Sequence, residues 1–215
     1  MGDLHARGFG VPQDYPRAAD WYRKAAAQGN VGAQHNLGFM YGHGEGVPQD
    51  HAEAAKWFRQ AANQGYAEAQ YNLGNMYVHG EGVAQDYGEA VKWFRKAANQ
   101  GVARAQYNLG VMYDNGDGVP QDYGEAVKWY REAAEQDLAL AQVHLGRMYY
   151  NGRGVPQDLV RAHMWFNLNA SSLPVGPNQH QAVKNRDLVA KLMIPAQIAE
   201  AERLAREWKP KVKGK

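Results

Sequence analysis

The chain contains no cysteine, so disulfides, thiolate metal sites and a cysteine nucleophile are all excluded. No run approaches about 18 apolar residues, which rules out a membrane-spanning helix. Neither sign of charge dominates: 24 lysines and arginines face 22 aspartates and glutamates, giving no global pull towards nucleic acid or an anionic membrane. The one basic run is Lys209-Pro-Lys-Val-Lys-Gly-Lys215, which reads as a disordered solubilising tail. A secretory leader is not visible either, because Met1 is followed by Gly-Asp-Leu-His rather than a basic segment and an apolar core. The sequence as it stands therefore reads as cytoplasmic, and as periplasmic or secreted if a leader precedes this start. Serine, histidine and acid form no nucleophilic constellation. Ser171 and Ser172 stand in a closing turn, where a hydroxyl more often caps a helix than attacks a carbonyl.

What the sequence has is periodicity. Trp21, Trp57, Trp93, Trp129 and Trp165 stand 36 residues apart. Gly-Val-Pro-Gln-Asp occurs at 10–14, 46–50, 118–122 and 154–158, with Ala84 replacing the proline at 82–86. Ala-Gln-x-x-Leu-Gly keeps the same step at 33–38, 69–74, 105–110 and 141–146. A fixed period of this length means a stack of like supersecondary units, each burying its apolar faces only against its neighbours.

Residues 66–101 show one unit. Ala69, Leu73, Met76 and Tyr77 follow helical spacing and predict a helix A over about 66–78. Gly80-Glu81-Gly82 ends it. Asp86 occupies an N-cap position with Glu89 three residues on, and Asp50 with Glu53 and Asp122 with Glu125 repeat that capping signal. Helix B, over about 87–100, puts Ala90, Trp93, Phe94 and Ala97 on one face and Lys92, Arg95 and Lys96 on the other. Gly29, Gly65 and Gly101 stop successive helices B, whereas Asp137 stands at the fourth such turn. The tryptophan is expected to fill the wedge towards the next repeat. Aligning Gly10 with Gly46 starts the chain partway through a helix A.

The pattern Ala-x-Ala-Gln-x-x-Leu-Gly-x-x-Tyr, then Gly-x-Gly-Val-x-Gln-Asp, then Glu-Ala-x-x-Trp-Phe/Tyr-Arg-x-Ala-Ala closely resembles the Sel-1-like repeat, a cousin of the tetratricopeptide repeat. Residues 161–169 resemble the closing repeat of bacterial members, and 186–208 their C-terminal helical cap. The resemblance implies an all-α, right-handed superhelical α/α solenoid: repeats over 1–172, capping helices over 173–208 and a basic tail over 209–215. Ile194 replaces a capping serine or threonine, which predicts a weak start for the last helix.

If helix A lines the concave face, as in the tetratricopeptide cousins, the groove receives the residues between the framework positions. These are Gly32, Glu68, Arg104 and Leu140; His35, Tyr71, Tyr107 and Val143; Phe39, Asn75, Val111 and Arg147; Gly42, Val78, Asp114 and Tyr150. They vary while the framework hardly changes, and aromatics and arginine are enriched at interface hot spots. The expected partner-binding set is accordingly His35, Phe39, Glu68, Tyr71, Asn75, Val78, Arg104, Tyr107, Val111, Asp114, Arg147 and Tyr150, with Phe39, Tyr71, Tyr107 and Tyr150 exposed.

Two other site readings are weaker. The Gly-x-Gly loops follow helices and lack a phosphate-directed lysine, so they read as turns. His43 with Glu45 and His79 with Glu81 could gather around a metal, but no ligand spacing is diagnostic, and no metal or cofactor is expected. The function expected is a non-catalytic adaptor for a protein or peptide partner. The resemblance implies bacterial roles in signalling, the cell envelope or host interaction. The alternatives are cell-wall-fragment binding or β-lactam hydrolysis, as linked to cysteine-rich relatives whose cysteines this chain lacks, and self-association through the N-terminal end.

Overall fold

The computed structural model describes residues 2–7 and 12–211. Every regular element among them is an α-helix. The chain divides into two compact units, residues 1–102 and 103–215, and the division falls at a repeat boundary. The first unit holds α1 (Gly2–Arg7), α2 (Tyr15–Ala27), α3 (Val31–His43), α4 (His51–Asn63), α5 (Ala67–His79) and α6 (Tyr87–Asn99). The second holds α7 (Ala103–Asn115), α8 (Tyr123–Ala134), α9 (Ala139–Asn151), α10 (Leu159–Ser172), α11 (Pro177–Ala190) and α12 (Pro195–Glu207). Within each unit consecutive helices up to α10 pack as hairpins stacked on one another, and both α11 and α12 lie against α10.

The Gln-Asp pair of the repeated loop closes each hairpin. Gln49, Gln85, Gln121 and Gln157 donate their side-chain amides to the carbonyls of Gly42, Val78, Asp114 and Tyr150, satisfying the frayed end of helix A. The backbone N–H of each following aspartate bonds a tyrosine carbonyl of the same helix, as Asp86 does to Tyr77 at 3.0 Å. Its carboxylate then caps helix B, with Asp50, Asp86 and Asp122 accepting from the N–H groups of Glu53, Glu89 and Glu125. Only that arm of the expected capping box forms. The glutamates turn instead to Lys56, Lys92 and Lys128 one turn on. At α12 the situation reverses: Gln197 accepts from the Ile194 N–H at 3.1 Å and Pro195 opens the helix, so the weak start expected there is supported after all.

Glycines set how closely the layers approach. A β-carbon on Gly38 or Gly74 of helix A would meet the rings of Phe58 or Phe94 at 2.7 Å, and one on Gly110 would meet Tyr130. Because Phe94 thus faces its own hairpin, the adjacent Trp93 is turned about one helical step away, onto the preceding repeat. It clusters with Ala54, Phe58 and Leu73. Trp57 likewise packs on the group around Tyr22 and Leu37, and Trp165 on Tyr130 and Leu145. The wedge therefore points backwards, correcting the expected direction. Among the described residues Trp21 has the six-residue α1 before its own helix and is 43% exposed. At the other end Ala201 occupies the tryptophan register, fully buried, while Trp208 meets Trp165 edge-on at 6.1 Å.

Buried glutamines add a polar ladder. Gln34 and Gln70 donate to the carbonyls of Ala26 and Ala62 at the end of the previous helix B. Each receives a bond from the end of its own helix B: Gln64 to Gln34 at 2.7 Å, Gln100 to Gln70 at 2.8 Å. Gln136 to Gln106 repeats it in the second unit. Asp137 adopts φ 65°, the left-handed conformation its glycine counterparts use, and its carboxylate captures Gln142 at 2.9 Å. Ser172 stands where a further ladder glutamine would be, and the Gln142 side-chain oxygen is buried without a partner. The basic tail is partly tied down. Lys211 bonds the Glu135 carbonyl through its N–H and pairs with the Glu135 carboxylate, while residues 212–215 lie outside the described set.

Candidate functional site

The framework residues of helix A, namely Ala69, Gln70, Leu73, Gly74 and Met76 and their counterparts in the other repeats, are buried, and the residues between them form the outward face. In the first unit that face carries His35 and Phe39 from α3 with Glu68, Tyr71, Asn75 and Val78 from α5. Phe39 is 42% exposed, whereas the others are half-buried. His35 accepts from the Asn72 side-chain amide at 3.2 Å and lies between the rings of Phe58 and Tyr66. Tyr71 tilts against Phe94 at 6.0 Å.

The second unit presents Arg104, Tyr107, Val111 and Asp114 from α7 with Arg147 and Tyr150 from α9. Arg104 and Arg147 are exposed, and the rest are half-buried. Tyr107, Tyr130 and His144 form one aromatic cluster, with His144 within 5.4 Å of Tyr107 and 5.0 Å of Tyr130. The Tyr107 hydroxyl shares a hydrogen bond with His144 Nε2 at 3.3 Å, and the Tyr130 hydroxyl donates to Asp114 at 3.2 Å. Tyr71, Tyr107 and Tyr150 are thus partly engaged in packing rather than fully exposed. The physical cause at Tyr107 is local: Tyr130 and His144 replace the phenylalanine and asparagine of other repeats and draw it inward.

Burial pushes the phenols of Tyr107 and Tyr130 up, and Asp114 raises Tyr130 further. Burial lowers the imidazoles of His35, His144 and His163; Arg147 lowers His144 further and Arg186 lowers His163. His163 Nδ1 is buried without a partner, consistent with a neutral ring. A histidine whose folded value lies below its unfolded one binds fewer protons folded than unfolded. Stability therefore falls as pH drops below the unfolded value of about 6.5, and carboxylates titrate mostly at lower pH. We expect the melting temperature to fall between about pH 7.5 and pH 5, with His144→Asn flattening part of that decline. A melting temperature constant across this window would contradict the buried neutral rings.

Two cavities adjoin the second face. A polar cleft of about 590 Å³ is lined by Asp114, Asn115, Tyr123, His144, Arg147 and Arg153, among others. An apolar groove of about 430 Å³ runs beside it, lined by Arg147, Tyr150, Phe166, Leu188, Val189, Lys191 and Leu192, with Asn151 and Asn185. Leu188 and Leu192 are 58% and 59% exposed. Sequence reasoning assigned this helix to the cap and missed the groove; the signal was a leucine pair at i, i+4 with no counterpart in the repeats.

Neither histidine loop gathers ligands. His43 stacks on Phe39 at 4.0 Å and its Nδ1 shares a hydrogen bond with the Phe39 carbonyl. Among the described residues no three histidines or acids are grouped for a metal. Ser171 and Ser172 bond carbonyls of their own helix, at Leu168 and Asn169. No helix among the described residues is long and apolar enough to cross a membrane.

Comparison with known proteins agrees with this geometry. The Sel1 repeat model matches residues 1–30, 31–66, 67–102, 103–138 and 139–171. A Sel1 repeat protein of Oxalobacter formigenes is similar at 35% identity and a TM-score of 0.81, over 97% of this chain and 85% of that one. A protective antigen of uropathogenic Escherichia coli with an SLR fold shares 30% identity at a TM-score of 0.54, over 96% of this chain and 59% of that one. An immunity protein of Pseudomonas aeruginosa, at 19% identity and a TM-score of 0.50 over 94% of this chain and 83% of that one, shares the fold alone. No curated protein matches. Five matched repeats in one register, four of them with the buried Ala-Gln-Leu-Gly frame, make this chain a member of the Sel1 repeat family.

Proposed function

We propose that the outward face of the helices A is a docking surface for a protein or peptide partner, serving bacterial signalling or the cell envelope, and that the protein performs no chemistry of its own. The Sel1 family supports a protein-interaction scaffold in general. One observation carries the assignment to this face: a buried framework that repeats almost unchanged holds outward positions that do not repeat, with Phe39, Arg104 and Arg147 on display. Packing constrains those residues less than the buried framework, which leaves a partner room to select them.

The test is affinity capture with the intact chain beside two variants. Phe39→Ala with Tyr71→Ala removes the aromatic anchors of the first unit and should weaken the captured partner by about 2 kcal/mol or more, the hot-spot range. Reversal of Lys92 and Arg95, on the opposite side of helix B, should leave capture unchanged. If the helix B variant loses the partner and the aromatic variant keeps it, the surface has been placed on the wrong side.

A further inference from the structure

The groove between α9 and α11 has a chemical character the rest of the helix A face lacks. Its floor is apolar, from Phe166, Val189 and the ring of Tyr150, and its walls include Leu188 and Leu192, each more than half exposed. Two cations stand at its rim, Arg147 and Lys191, both exposed and both without an ion-pair partner among the described residues. No carboxylate lines it. The acids near it are engaged elsewhere: Asp187 with Arg186, and Asp114 with Tyr130.

Unpaired cations bordering an apolar trough select a partner by complementarity: apolar side chains for the floor, carboxylates for the rim. We infer that this groove docks an acidic peptide segment in which leucine-type side chains are flanked by aspartate or glutamate. The inference rests on the docking face proposed above and gives its partner a chemistry. The same charges argue against two other occupants. The chain's own tail is basic and would be repelled, and Lys211 is held at Glu135 on α8. A second copy docking groove to groove would bring the Arg147 and Lys191 rims together.

The probe is a fluorescein-labelled, amide-capped peptide of leucines alternating with glutamates, followed by fluorescence anisotropy with the full chain. Comparator peptides replace the glutamates with lysine, or the leucines with serine. We expect the acidic peptide to bind and both comparators to be at least about tenfold weaker. Arg147→Glu with Lys191→Glu should reverse the preference, weakening the acidic peptide by about tenfold or more and admitting the lysine peptide. Leu188→Ser with Leu192→Ser, both at exposed positions, should lose binding while the melting temperature holds. No binding of the acidic peptide to the wild-type chain overturns the inference, as does an affinity within about twofold of wild type in the charge-reversed variant. Binding lost in the Phe39 and Tyr71 variant but kept in both α9/α11 variants overturns the inference while sparing the docking face. Failure of that face in the capture experiment, with the peptide still bound here, separates the two the other way.

Discussion

Trp93→Ala should destabilise the protein by roughly 3 kcal/mol, the lower end of the range for truncating a buried aromatic. The indole is 8% exposed and sits among Ala54 and Phe58 of the preceding repeat and Leu73 of its own, so its loss opens a cavity between two hairpins. The lower end applies because its N–H is buried without a partner, and deleting it removes an unmet polar group along with the apolar ring. Trp21→Ala is the matched control. It has the same register in the equivalent helix, α2, but at 43% exposure, under Lys24, it should cost less than about 1 kcal/mol. In a chain this long the Trp93 variant should melt roughly 6–12 °C lower. Equal shifts for the two variants would mean that the tryptophans do not pack backwards onto the previous repeat.

Gly82→Ala should cost roughly 3–5 kcal/mol, combining left-handed backbone strain with a steric overlap that the stack cannot relieve locally. Gly82 has φ 66°, and an added β-carbon would lie 2.0 Å from the carbonyl oxygen of His51, at the start of α4 in the preceding repeat. The obstacle is backbone, so no side-chain rotation can clear it; the two repeats would have to part. Gly65→Ala isolates the conformational share. Its φ of 90° is as unfavourable for alanine, but nothing lies within 4 Å of the added carbon, and the cost should stay near 1 kcal/mol. Urea midpoints of the two variants that coincide would show that the loop does not rest on its neighbour.

Much of this architecture was legible in the chain. Helical spacing and the aspartate caps placed helix A over 66–78 and helix B over 87–100, against 67–79 and 87–99 in the structure. The wedge direction was not legible, because a strict period looks the same whichever neighbour a side chain touches; only the ends break the symmetry, and exposed Trp21 breaks it visibly. The framework of the candidate face followed from the repeat, but the exposure of its members did not. Tyr107 is drawn in by Tyr130 and His144, two substitutions distant in sequence and adjacent in space. The α9/α11 groove escaped because it is made outside the repeat, where periodicity gives no guide.

The glutamine ladder also bears on how such a chain changes length. Each helix A glutamine spends its donor on the preceding hairpin and accepts through its oxygen within its own, as Gln34 does from Gln64 and Gln70 from Gln100. Duplicating or excising one whole period regenerates every such partnership with identical neighbours. Any other insertion into the hairpins strands a buried amide, a loss of about 1–3 kcal/mol apiece. Recombination between like repeats is thus the low-cost route for growth or shrinkage, in whole-repeat steps. The open oxygen of Gln142 marks the last rung, where Ser172 replaces the glutamine that closes the earlier hairpins.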